Sequence, residues 1–201
     1  MMLDLAHEMR EAVAALTPFD RTLLGAAGIP ARMIERGLIG RAGISLSGDE
    51  TIWEPGIAPV YVTPCRIADP FTPECPWWRA VPEAGHLIDL VAWHPEHPQR
   101  WALRTGFAEW LGACEPQHLS DAVHVRRSPL SWLRHGGTGI VALAPEERER
   151  QRALSFALLL MAEDFEHAQE LRRLMERPTS IPAIKVGIDG NGNGGTRALE
   201  T

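Results

Sequence analysis

Lysine and tyrosine are almost missing from this 201-residue chain: Lys185 stands against nineteen arginines, and Tyr61 against seven tryptophans. Cysteine is scarce as well. Three thiols, an odd number, do not make a disulfide framework, so reduced cysteines and a cytoplasmic protein are expected. No apolar run approaches the roughly 18 residues of a membrane span, so a membrane partner is excluded. The opening Met1 to Glu8 has no basic segment, which predicts no secretory signal. A hydrophobic share of 45% is too high for a disordered chain. The surplus of arginine over lysine is what a GC-rich genome encodes. It also favours stacking on indole faces, for which Arg100 and Arg104 lie near Trp93, Trp101 and Trp110.

The periodicity predicts an α+β domain: a mostly antiparallel sheet packed by an N-terminal helix and a long C-terminal helix. Met2, Leu5, Met9, Val13 and Leu16 make the first helix, over 2 to 16, ended by Thr17-Pro18. Short helices follow at 21 to 27 and after Pro30, then a hairpin over 41 to 54. Strands are expected at 57 to 67, 87 to 93, 101 to 105, 122 to 126 and 139 to 144. Short helices are expected at 107 to 111 and, behind the Ser128-Pro129 cap, through Arg134. A stripe from Leu154 through Leu158, Met161 and Phe165 to Met175 reads as one helix over 145 to 176. A strand is possible over 181 to 188. Residues 1 to 56 thus form a helical segment with a hairpin, 57 to 188 an α+β core, and 189 to 201 a Gly/Asn-rich tail.

Residues 20 to 39 have partial helix-turn-helix character around Gly28. Arg32 and Arg36 would project from the second helix, Arg41 would follow, and the hairpin would serve as a wing. Leu24, however, takes a place usually held by a small residue. Residues 1 to 56 also carry five arginines against eight acidic residues, the wrong sign for phosphate neutralisation. Asp189, Asn191, Asn193, Gly194 and Glu200 match a calcium loop, and Gly190, Gly192 and Gly195 a dinucleotide-loop spacing, but neither has its flanking helix, and both are read as accidents of composition. Five histidines follow a carboxylate by three residues: Asp4/His7, Glu83/His86, Glu115/His118, Asp121/His124 and Asp164/His167. On a helix that spacing resembles di-metal motifs, but ordinary ion pairing is the simpler reading. His94, His97, Cys114 and His118 are weak zinc candidates, without a second tight cysteine pair. No nucleophile motif is present, no cofactor is expected, and Asp89 inside Leu87 to Val91 reads as a paired core aspartate.

The blocks Leu87 to Pro95, Arg100 to Gly106 and Ser128 to Leu143 resemble small uncharacterised proteins of phage-derived or mobile segments in GC-rich bacteria, over roughly 58 to 176. That resemblance implies no activity and carries no catalytic residue; it points only to an accessory role near nucleic-acid processing. The primary expectation is therefore a non-enzymatic protein-interaction protein, with Trp77, Trp78, Trp132 and Arg134 as contacts. A winged-helix DNA-binding protein is the alternative, with nucleic acid as partner. A metal-dependent enzyme using His/carboxylate pairs comes second to it.

Overall fold

The computed structural model describes residues 3–48, 50–67, 86–112, 122–155 and 157–176. Helix α1 (Leu5–Ala14) starts at Asp4, whose carboxylate accepts the His7 N–H at 2.9 Å. Helix α2 (Pro18–Ala26) begins with a reciprocal cap in which Thr17 and Asp20 satisfy each other's backbone donors. Helix α3 (Ala31–Glu35) follows the Gly28 turn. Strands β1 (Gly40–Leu46), β2 (Trp53–Pro55), β3 (Ala58–Ile67), β4 (His86–His94) and β5 (His97–Leu103) form one antiparallel sheet in the order β2-β1-β3-β4-β5. Ile52, just before β2, bridges Leu103 at the far edge, and the Leu103 N–H donates to the Thr51 carbonyl at 2.8 Å. The two edges of the sheet therefore meet, and fewer backbone groups are left open. The fold is α+β, as the residue pattern implies.

Period-two alternation sorts the sheet residues onto two faces. Ile44, Trp53, Val62, Leu90, Ala92 and Ala102 pack with Met9 and Ala12 of α1. Tyr61, Cys65, Val91, Trp93 and Leu103 face a second cluster fed by Leu24, Ile29, Met33 and Ile34 of the α2–α3 region. That cluster also takes Leu130 and Leu133 of α4 (Pro129–Arg134), which Ser128 caps. Residues 1 to 56 are thus built into the core. The hairpin expected as a wing does not stand free, because β1 lies between β2 and β3. Leu24, too large for a helix-turn-helix crossing, is fully buried in this core.

Two expectations fail, each for a visible reason. Residues 107 to 111 are not helical: the Phe107 and Ala108 N–H groups point to Asp89, and Trp110–Leu111 form a strand, β6, paired with β8 (Val141–Ala142). The long C-terminal helix is also divided. Helix α5 (Glu147–Leu154) ends at Ser155, β9 (Leu159–Met161) pairs in parallel with β7 (Ala122–His124), and α6 (Phe165–Glu176) starts afresh. Ala157 to Ala162 is apolar on every side, so it cannot be one stripe of an amphipathic helix and pairs as a strand instead. Asp164 then begins α6 by accepting the His167 N–H at 2.8 Å. The expected strand at 181 to 188 and the whole tail lie outside the described residues.

Close backbone approach fixes two glycines. A Cβ at Gly40 would sit 2.5 Å from the Ala12 Cβ of α1, and one at Gly56 would sit 2.5 Å from the Ile44 carbonyl carbon. Gly25 in α2 has nothing within 4 Å. Gly40→Ala and Gly56→Ala are expected to lower stability by about 1–3 kcal/mol each. Gly25→Ala, which only improves helix propensity, should raise it by about 0.5–1 kcal/mol. Urea midpoints check the three together, and a neutral Gly40→Ala would contradict the close packing of α1 on β1.

Candidate functional site

Among the residues nominated for DNA contact, Arg41 lies in β1 and its guanidinium is 3.2 Å from the buried Asp20 carboxylate. Asp20 also accepts the Tyr61 hydroxyl at 3.0 Å. Burial opposes Asp20 ionisation, but the Thr17 and Tyr61 hydrogen bonds and the Arg41 charge outweigh it and hold the carboxyl below its ordinary pKa. The Tyr61 phenol is pushed up to about 12, by burial first and then by Asp20. The Arg32 guanidinium folds over Gly136 at the end of α4, where a glycine Cβ would fall 2.3 Å from its Nη2. Arg36 is exposed but partnered within the fold. The three arginines do not form one outward-facing row.

The interaction residues separate too. Trp132 is only 2% exposed, and its indole N–H donates to the Gly139 carbonyl at 3.0 Å. It belongs to the core, because the apolar face of α4 turns inward, and is withdrawn as a contact residue. Arg134 is exposed, with its Nε donating to the Ala27 carbonyl at 2.6 Å, so it ties α4 to the end of α2. Trp77 and Trp78 lie outside the described residues. So do Cys114 and His118 of the zinc set. His94 and His97 face each other across the β4–β5 turn with ring centroids 6.0 Å apart. Among the described residues no three His, Cys, Asp or Glu side chains gather as metal ligands. The expected arginine–indole stacking does occur, with a different indole: Arg104 lies 5.2 Å from the Trp53 ring while Glu8 grips its guanidinium at 2.9 and 3.1 Å.

Two surface features were not singled out as sites by the residue pattern. The first is a cavity of about 390 Å³ between β5, α5, α6 and the end of β7, which reaches Gln99, Trp101, Arg126, Arg150, His167 and Arg173. Arg126 on its wall donates to the Thr138 carbonyl at 3.1 Å and approaches Glu163 at 3.9 Å. Burial lowers its pKa, with Glu163 acting against that. Arg127 is held by Asp164 at 2.6 and 3.0 Å and by Glu170 at 3.3 Å. Asp164 lies below its ordinary pKa, first through the His167 N–H and then through Arg127. His167 is 4% exposed and accepts the Glu163 N–H on Nδ1 at 3.2 Å, which puts its own proton on Nε2.

The second feature is an apolar strip. Leu158 is 83% exposed, Leu159 58%, Met161 41% and Phe165 77%, all within eight residues of β9 and the first turn of α6. Among the described residues β9 pairs only with β7. Glu166 is exposed beside Phe165.

Family models, curated proteins and solved structures offer no match to this chain. A readable signal for the strip existed in the run Ala157 to Ala162, whose unbroken apolarity contradicts a one-sided helix. The cavity had none, since its residues come from five separate segments.

No described helix is long and apolar enough to cross a membrane. The buried His167 gives a testable acid response. Burial lowers its pKa and the Arg127 charge adds to that, while Glu163, Glu170 and Asp164 work in the opposite sense. A folded pKa below the unfolded value of about 6.5 means that its contribution is present above that pH and lost as pH falls through the folded value. Unfolding free energy should therefore decline as pH falls below about 6.5. His167→Asn should flatten that part of the curve, and an unchanged slope in the variant would assign the response elsewhere.

Proposed function

We propose that this chain is a non-enzymatic accessory protein that works by binding a protein partner through the strip Leu158, Leu159, Met161 and Phe165. The observation that carries the reading is the exposure of these four large apolar side chains on a strand edge and the adjoining helix start. Scattered exposed leucines mean little, but a contiguous group marks a contact surface. Glu166 is an exposed carboxylate on the rim, while Asp164, two residues before it, and Glu170, one turn after it, are already held by Arg127. The partner that fits is an extended apolar segment flanked by lysine or arginine, lying along β9 in the manner of an added strand. The resemblance of residues 58 to 176 to proteins of mobile segments supports an accessory role beside nucleic-acid processing, reached through such a partner.

The winged-helix alternative has less behind it. Arg41 is neutralised by Asp20, Arg32 folds onto Gly136, and the hairpin lies inside the sheet. No observation favours it.

A displayed peptide library selected on the full chain tests the proposal, with a Leu158→Glu/Phe165→Glu variant as counter-target. Enriched peptides should alternate apolar residues between basic flanks and should bind the variant at least about tenfold more weakly. Thermal unfolding of the variant should match the parent, because both side chains are exposed. Peptides that bind parent and variant alike, or no enrichment, would overturn this reading.

A further inference from the structure

The cavity between β5, α5 and α6 shares no lining residue with the apolar strip and has a chemistry of its own. Its lining includes four arginines, Arg126, Arg127, Arg150 and Arg173, against two glutamates, Glu147 and Glu170. Glu170 is already engaged by Arg127, and Glu147 has a partner within the fold. The Arg150 Nε is buried with no hydrogen-bond partner. A guanidinium N–H removed from water and left unpaired is costly, and the same guanidinium belongs to a residue that lines the cavity, so an anion there would compensate its charge. His167, almost completely buried, spends Nδ1 on the Glu163 N–H and so presents Nε2–H as a second donor on the same lining. Gln99 adds an amide from β5 and Arg173 a second cation from α6. Residues with donor groups from three elements thus line one space, and among the described residues the acidic groups lining it are already engaged.

Trp101 gives the space a flat apolar wall. Its indole N–H is fixed to the Leu143 carbonyl at 3.2 Å, so the ring is held in place. The same tryptophan, with Gln99 and Arg150, also lines an adjoining cavity of about 440 Å³. Both volumes fall within the range of about 300–1,000 Å³ found for small-molecule sites. Arginine forks suit tetrahedral oxyanions, and an indole face suits a planar ring.

We propose that this cavity is a binding site for a small organic phosphate carrying a flat ring, with the phosphate on Arg150, Arg173 and the His167 Nε2–H, and the ring against Trp101. Binding is non-covalent, and the neutral His167 acts as a donor only.

Titration calorimetry of the full chain with phenyl phosphate, inorganic phosphate and phenol tests the site. Phenyl phosphate should bind saturably in the micromolar to millimolar range, more tightly than inorganic phosphate, and phenol should not saturate. Arg150→Gln and, separately, Arg173→Gln should weaken phenyl phosphate by about tenfold each. Arg172→Gln, on the exposed side of the same helix, should change nothing. Thermal midpoints of the three variants separate a lost contact from a lost fold, and two variants on different helices keep the test valid if one is unstable. No saturation by phenyl phosphate, or equal affinity in folded Arg150→Gln and Arg173→Gln, would overturn the site. Inorganic phosphate binding as tightly as phenyl phosphate would overturn the role given to Trp101.

Discussion

One buried carboxylate organises the centre of this protein. Asp89 in β4 is wholly inaccessible and accepts five backbone N–H groups: Leu90, Arg104 and Thr105 on Oδ1, Phe107 and Ala108 on Oδ2, at 2.8 to 3.2 Å. A charge taken out of water is tolerated only when its lone pairs are filled, and here an entire turn after β5 is wrapped around it. That turn aims the Arg104 side chain back across the sheet, where Glu8 of α1 and the Trp53 ring of β2 hold it. The first helix, the edge strand and the end of β5 therefore depend on one side chain. Cys65, paired opposite Asp89, is fully buried, and burial, reinforced by the Asp89 charge, pushes its thiol well up. It stays an inert core residue for the same reason.

The arginine-lined cavity is reached through β5, from Gln99 and Trp101. Trp101, two residues before Leu103, separates the sheet core from the arginine-lined cavity. Helices α5 and α6 close the opposite wall, joined by a Gln151 amide on the Met175 carbonyl at 3.2 Å. The apolar strip lies between those helices in sequence. Breaking the chain there as β9 gives α5 and α6 independent directions, which one continuous helix would not. A single departure from helical continuity thus makes both the cavity and the exposed strip.

Much of the architecture was legible from the residues. Apolar runs located β3 and β4 and the last three residues of β5, which begins at His97 rather than Trp101, the Ser128-Pro129 pair located α4, and Asp89 stood out as the one polar residue in an apolar strand. The misreadings have physical causes. Leu154 to Met175 carries apolar residues at helical spacing, but the filled positions between them, Leu159 and Leu160 among them, signalled a strand. The Asp-x-x-His spacing looked like paired side chains on one helix face. At Asp4/His7 and Asp164/His167 it is a helix cap, in which the carboxylate takes the backbone N–H three residues on, and the imidazole turns to a different partner, Glu11 for His7 and the Glu163 N–H for His167. Trp132 looked like an anchor because tryptophans serve interfaces, yet an amphipathic six-residue helix had only one face to bury, and it is on that face. The cavity was not legible at all: Gln99, Arg126, Arg150 and His167 meet only after the sheet and two helices have formed.

Amide hydrogen exchange reads the central claim most directly. If Asp89 holds the turn, the Leu90, Arg104, Thr105, Phe107 and Ala108 amides should exchange together, at rates close to those of global unfolding. All five should lose protection in concert in Asp89→Asn, which replaces one acceptor oxygen with a donor. Rapid exchange of Thr105, Phe107 and Ala108 in the parent protein, as in an ordinary surface loop, would contradict it.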